Sequence, residues 1–290
     1  MNQNNNQIPV IQSVLHPTDF SEGSQVAFYH ALRASLLAKS ALTLLHVASN
    51  GKPGWSKFPG VRETLERWGL IPEGSPKSAV KELGILASKV IAEEDDPVEA
   101  VLAYLGKRPS DLLVLATRQP KGYVRWLHKS VAEPVARRAS QMTLFIPGES
   151  KGFVSAEDGS VSLNNVLIPI AEIPNPQMAL EAAARLITGL KCVNGTFTLL
   201  HVSQSDTMPD VHFPEVEGWE WKKERRSGEV IKTILDTASE INADLIVMST
   251  DGRNGFLDVL RGSHSERIIR QCAAPLLTIP VGSFAETYLS

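Results

Sequence analysis

Three short apolar runs occur twice in this chain, in the same order, and no other feature restricts the fold so tightly. "SVLHP" ending at Pro17 is answered by "NVLIP" ending at Pro169, "TLLHV" ending at Val47 by "TLLHV" ending at Val202, and "DLLVLAT" ending at Thr117 by "DLIVMST" ending at Thr250. Each run is short, apolar and rich in β-branched residues, the pattern of a strand covered on both faces of a parallel sheet. Between the runs lie stretches of helical period, Ala27, Ala31, Ala34 and Leu37 in the first half and Ala179, Ala183, Leu186 and Leu190 at the equivalent place. Strands alternating with helices predict an α/β chain with a parallel, helix-covered sheet in each half.

At 290 residues the chain has the length for two such units, each able to bury its own core. The stretch from Pro147 to Asn164, "PGESKGFVSAEDGSVSLN", is rich in glycine, serine and charge and places the boundary near Lys151, giving domains 1–150 and 151–290. The first half is longer by roughly twenty residues between its second and fourth strands, and the segment 51–75, "GKPGWSKFPGVRETLERWGLIPEGS", is where an insertion fits.

Charge narrows the functions. With 29 basic and 32 acidic residues the net charge is -3, and no basic stripe offers itself to a phosphodiester backbone or an anionic membrane. The amino terminus "MNQNNNQ" is polar, and no apolar run has the length to span a bilayer. These features predict a soluble cytoplasmic protein that binds neither nucleic acid nor membrane. Cys192 and Cys272 have neither metal-knuckle nor CxxC spacing and read as small core residues.

The stretch "MSTDGRNGFLDVLRGSHSE" from Met248 places Gly252, Gly255 and then Gly262-Ser263 between a buried strand and a helix. Such a loop either turns sharply or lets its backbone approach a phosphate. The first half is a built-in control. There the same loop reads "LATRQPKGYVRWLHKSVAE", so Ser249, Gly252, Gly255, Gly262 and Ser263 meet Ala116, Gln119, Gly122, Lys129 and Ser130. Ser263 with Glu266 and Ser130 with Glu133 are both capping-box spacings, so the serine alone carries no ligand information. Gly252 and Gly262 discriminate, because Gln119 and Lys129 stand in their places. At the end of the first strand the halves differ the other way. Asp19 in "PTDFSE" suits either a ribose hydroxyl or a helix cap, whereas "PIAEIPNP" has Ala171 there and delays its helix to Asn175 and Pro176.

On these residues the chain resembles a tandem universal stress protein of the UspA family over nearly its whole length. The nucleotide-binding branch of that family has a strand-one aspartate and a G-x-x-G, nine residues, G-S/T signature. Here the second half supplies Ser249 in place of the first glycine, then Gly252, nine residues, Gly262 and Ser263, and lacks the aspartate at Ala171. The resemblance implies two tandem flavodoxin/HUP-like domains, each a five-stranded parallel sheet in the order 3-2-1-4-5 with helices on both faces. It also implies an adenine nucleotide, ATP with Mg, at the switch point of the second sheet. Pro169 and Val202 would lie along the base, Gly252, Arg253, Gly262 and Ser263 at the phosphates, and Ile170 and Ser249 would complete the nucleotide site. Asp19 and Val47 mark a degenerate equivalent in the first half.

His46 and His201 occupy equivalent strand ends without a second ligand nearby, and read as hydrogen-bonded structural histidines rather than metal ligands. "WEWKKERRSG" from Trp219 reads as an exposed strand with Trp219 and Trp221 on one face. The final strands "TLFIP" and "LLTIP" pair subunits in the family; here they suit pairing of the two halves into a pseudo-dimer, or a homodimer. Three functions compete at this level: a nucleotide-binding stress-response module, a family member that binds no nucleotide and works through its surfaces, and an adenylate-forming enzyme. The last lacks a pyrophosphate loop after strand one in "PTDFSEGS" and "PIAEIPNP", and no nucleophile, base and orienting group come together.

Overall fold

A computed structural model describes residues 11–48, 54–94, 96–117, 131–205, 207–250 and 272–281. The first half runs β1 (Ser13–Thr18), α1 (Glu22–Ala38), β2 (Ala41–Val47), a 3-10 turn at Trp55–Lys57, α2 (Val61–Arg67), α3 (Ser78–Glu82), β3 (Leu86–Ala92), α4 (Pro97–Lys107), β4 (Leu112–Thr117), α5 (Ala132–Ala139) and β5 (Met142–Pro147). The second runs β6 (Asn165–Ile170), α6 (Gln177–Leu190), β7 (Gly195–Val202), β8 (Trp219–Arg226), α7 (Val230–Glu240), β9 (Leu245–Thr250) and β10 (Leu276–Pro280).

Each half forms a parallel sheet in the order 3-2-1-4-5, and the two join into one ten-stranded sheet, β3-β2-β1-β4-β5-β10-β9-β6-β7-β8. The seam is antiparallel, with Leu276 opposite Phe145, Leu277 opposite Leu144 and Thr278 opposite Thr143. Strand residues alternate between two cores. Val14, Val114, Ile168 and Val247 face the side covered by α1 and α6, and Leu15, Leu113, Leu167 and Ile246 face the side covered by α4, α5 and α7. At full burial each such aliphatic side chain contributes about 1.5–3 kcal/mol relative to exposure.

A carboxylate sets the register of the first strand in both halves. Asp111, just before β4, accepts the amides of Gln12 and Ser13 at 2.9 Å each. Asp244, just before β9, accepts those of Asn164 and Asn165 at 2.8 and 2.9 Å. Each anion satisfies two backbone donors that the start of an inner strand would otherwise leave open. The expected exposed strand at Trp219 is β8, and its tryptophans pack on Phe197 at centroid distances of 4.6 and 4.1 Å, with Trp219 buried and Trp221 half-buried.

The connection between the halves is a packed strap. Phe153, Val154 and Leu163 are buried, and an antiparallel bridge joins Val154 to Val161. Trp68 Nε1 and Arg67 Nε both donate to the carbonyl of Ala156. The strap is pinned from beneath by His30 of α1. Its Nδ1 bonds the Val26 carbonyl at 2.8 Å, which makes Nε2 the acceptor for the amides of Phe153 (3.0 Å) and Val154 (3.3 Å). Gly152 beside it has φ +64°, and a Cβ there would lie 2.1 Å from His30 Cε1.

His30 is therefore held neutral: burial lowers its pKa from 6.5 to about 4, against the opposing bond to Val26. Above pH 6.5 the ring is neutral folded and unfolded. As pH falls from 6.5 towards 4 the unfolded chain binds a proton that the folded chain refuses, so stability drops, by up to about 3 kcal/mol from this residue. Urea unfolding at pH 7 and pH 4.5 checks this, with His30→Gln expected to lose less stability between the two than the parent. At Gly152, alanine is expected to cost more than about 2 kcal/mol, from the left-handed backbone together with the clash. The control is Gly74→Ala, where φ is +75° but nothing lies within 4 Å, with a cost of only about 1–2 kcal/mol.

Candidate functional site

In each half the first and fourth strands pair over only two residues. Val14 and Leu15 meet Leu112 and Leu113, and Val166 and Leu167 meet Leu245 and Ile246. Beyond those pairs the strands part, which opens a crevice at their carboxyl ends, where the winding of the sheet reverses. The two halves treat this crevice differently.

In the first half the split is filled by polar groups of the chain itself. His16 of β1 is fully buried and its Nδ1 bonds the Val114 carbonyl of β4 at 2.8 Å. Ser24 Oγ of α1 lies 3.4 Å from His16 Nε2 and donates to Thr18 Oγ1 at 2.8 Å, and Thr18 Oγ1 also accepts the Phe20 amide. Burial lowers the His16 pKa to about 4, against the stabilising bonds to Val114 and Ser24 and the charge of Asp19, so the ring stays neutral. Asp19 itself is not the helix cap that its position suggests. Its Oδ1 accepts the amide and the hydroxyl of Ser21 (3.0 and 2.6 Å), and Ser21 caps α1 by accepting the Ser24 amide. The reason is the left-handed Phe20, φ +61°, which puts an extra bend between Asp19 and the helix.

That bend also turns Phe20 onto the strand ends. Its ring stacks on His46 at 4.1 Å and meets Trp55 at 4.9 Å and Phe58 at 5.5 Å edge-on. Lys89 Nζ sits 4.8 Å from the centre of the Trp55 ring. The ground between Asp19 and the half-buried Val47 is thus covered by aromatic side chains, two of them from the segment inserted after β2. Sequence reasoning missed this plug, although "GWSKFPG" is dense in aromatics and His16 stands where the second half has Ile168.

The second half keeps the frame without the filling. His201 Nδ1 bonds the Ile170 carbonyl at 3.0 Å as His46 Nδ1 bonds that of Thr18 at 2.9 Å, so each histidine ties the end of strand two to the end of strand one. No aromatic ring among the described residues stacks on His201. The β7–β8 connection is tied instead to α6, with the Gln177 side chain donating to the His212 carbonyl and accepting its amide, both at 3.0 Å. Phe213 turns towards Trp221. Ile168, fully buried, stands in for His16, and Pro176 for Ser24.

Of the residues expected at the site, Pro169 and Val202 are half-buried at neighbouring strand ends. Ile170 is in the core, its carbonyl taken by His201. Ser249, near the end of β9, is 8% exposed and its hydroxyl has no hydrogen-bond partner. A buried hydroxyl without a partner costs about 1–3 kcal/mol, a state that Ser249 shares with Ser40, Thr64 and Ser140 of the first half. Gly252, Arg253, Gly262 and Ser263 lie outside the described residues, as do Gln119, Lys129, Ser130 and Glu266. Among the described residues no group of histidine, cysteine or acidic side chains could hold a metal ion, and no helix is long and apolar enough to cross a membrane.

Comparison with known proteins agrees with this architecture. The sequence profile of the universal stress protein family matches residues 11–147 and 215–280, together more than half of the chain. A universal stress protein from Archaeoglobus fulgidus DSM 4304 is similar in structure at TM-score 0.58 and 22% identity, over 94% of this chain and 98% of that one. A putative universal stress protein from Pseudomonas aeruginosa UCBPP-PA14 is similar at TM-score 0.60 and 13% identity, over 94% of each chain. None of the curated proteins matches. Two copies of one parallel sheet, joined edge to edge, and the family profile across both copies lead to one conclusion: the chain belongs to the universal stress protein family.

Proposed function

We propose that this protein is a cytoplasmic stress-response module that binds an adenine nucleotide, ATP with magnesium on its phosphates, in the crevice between β6 and β9, and that the first half binds none. The observation that carries this reading is the unpartnered, buried hydroxyl of Ser249 at a strand end where the sheet opens. In the first half the same position is Ala116, and the crevice beside it is closed by the His16 network and the Phe20 plug.

The residues fit a nucleotide by kind. Ser249 offers a hydroxyl, and Pro169 and Val202 offer apolar surface at adjoining strand ends for the flat face of a base. The Gly252 and Gly262 amides and the Ser263 hydroxyl, in the stretch after β9, supply phosphate donors by sequence, with Arg253 as a further cation. A second reading, that the family frame serves only protein contacts, draws on one observation: Ala171 leaves the ribose without the carboxylate that Asp19 would give.

Calorimetric titration of MgATP into the intact protein is expected to give micromolar affinity, about -8 kcal/mol, and to lose it in Gly262→Lys, which copies Lys129. Absence of heat and of any melting shift at millimolar ATP overturns the nucleotide reading. Ser249→Ala is expected to weaken ATP roughly tenfold, about 1.4 kcal/mol, while leaving the unliganded protein as stable as the parent or slightly more so, because it removes an unsatisfied hydroxyl. Equal weakening of fold and affinity would mean that Ser249 acts only as a packing residue.

A further inference from the structure

Joining the two sheets leaves β3 and β8 as the outer strands, and they are finished differently. The apolar side chains of β8 are covered by the preceding connection, with Trp221 Nε1 donating to the Pro214 carbonyl and Phe213 against its ring. On β3, Leu86 is 61% exposed and Ile91 45%. A groove of about 840 Å³ runs round the amino-terminal half of β3 and takes its walls from both faces of the strand: Val61, Val80 and Lys89 on the α2–α3 side, Thr43, Ser88 and Tyr104 on the α4 side.

The backbone of β3 is open along this groove. Ala48 N donates to the Ala92 carbonyl, which fixes the phase of the ladder: even-numbered residues of β3 bond β2, and Ala87, Lys89 and Ile91 turn their amides and carbonyls outward. The groove is also cationic. Arg62, Lys77, Lys81, Lys89 and Arg108 line it against one acid, Glu63, which is paired with Arg62. Lys77, Lys81 and Arg108 have no carboxylate partner among the described residues, and Lys89 lies over Trp55. A small anion would use the charge alone. A groove walled by both faces of an open edge strand fits a chain that adds as a further strand, one row of its side chains to each face.

We propose that β3 is a docking edge for an extended acidic segment of a partner protein. The segment hydrogen-bonds the outward groups of Ala87, Lys89 and Ile91 and sets alternate carboxylates among Lys77, Lys81 and Lys89. Its other row of side chains covers Leu86 beside Tyr104. A second copy of this chain fits less well, because antiparallel self-pairing centred on Lys89 sets two ammonium groups face to face.

The test uses a fluorescent eight-residue peptide of alternating glutamate and valine and its lysine–valine counterpart, with anisotropy read on the full chain. The acidic peptide is expected to saturate with a dissociation constant at least tenfold below that of the basic one, weakening as salt rises. Ala87→Pro removes an outward amide without touching the β2 ladder and is expected to weaken the peptide tenfold or more. Lys81→Glu, which leaves β3 untouched, is expected to weaken it severalfold, so a folding defect in the proline variant does not decide the matter. No saturation by the acidic peptide, equal binding of both peptides, or binding indifferent to both variants overturns the proposal. So does sedimentation showing a dimer of the free protein that Ala87→Pro dissociates, since the edge is then filled by a second copy.

Discussion

The antiparallel seam between β5 and β10 is the contact on which the rest of this molecule depends. A five-stranded parallel sheet has two open edges, and its last strand is the more hazardous here because both β5 and β10 are short and, but for one threonine each, apolar. Pairing them turns two liabilities into an interior. Phe145, Leu144, Leu276 and Leu277 become buried on one side or the other, and Thr278 Oγ1 adds a bond to the Thr143 carbonyl. The seam also brings α1 and α6 onto one face, close enough that a Cβ on Gly189 would lie 2.6 Å from the Leu37 side chain. Continuity of the sheet then allows the strap from Gly148 to Asn164 to lie across that face and be held by His30 and Trp68, instead of hanging between two bodies.

Once the halves are fused, their crevices are free to differ, because both copies keep the same frame. Asp111 and Asp244 start the inner strands alike, and His46 and His201 tie their ends alike. What changes is the filling. In the first half an imidazole bridges the split and rings cover the strand ends. Each polar atom placed there has a partner: His16 has Val114, Thr18 has Ser24, and Asp19 has Ser21. In the second half an isoleucine replaces the imidazole, the insertion that carries Trp55 and Phe58 is absent, and one hydroxyl is left over at Ser249. Burying a polar group without a partner opposes folding, so the crevice lined by His16, Thr18 and Asp19 is complete in itself, whereas the one beside Ser249 keeps an open hydroxyl.

Much of this was legible in the sequence because repetition is a strong signal. The matched runs mark three parallel strands per half, the family resemblance implies five, and the aspartate that opens "DLLVLAT" and "DLIVMST" even marks the register device, although its role appears only when Gln12 and Asn164 are seen beside it. Helix starts were less legible. Asp19 looks like a cap and is one residue pair too early, because the left-handed turn at Phe20 depends on the rings it packs against, which come from a distant insertion. The filled crevice could not be read for the same reason: Phe20, His46, Trp55 and Phe58 are scattered over almost forty residues and only the fold gathers them. Periodicity reports which face a residue takes, not which other residue fills the space beside it.

The two remaining edges obey the same economy of partners. Along β8, Lys222, Lys223, Arg225 and Arg226 are interleaved with Glu220 and Glu224; Arg226 is bound by Glu224 and Glu240, and Lys223 lies over the Phe213 ring. Along β3 the cations gather at one end, beside Lys77, Lys81 and Arg108, and the exposed Leu86 and Ile91 have no cover. A charged residue on an edge guards against indiscriminate pairing, because an apolar strand laid against it must bury an ammonium group without compensation. The same lysine admits a strand that brings a carboxylate. An edge guarded by unpaired charge of one sign is therefore selective, and β3 is such an edge, whereas β8 has the preceding connection packed against Trp221.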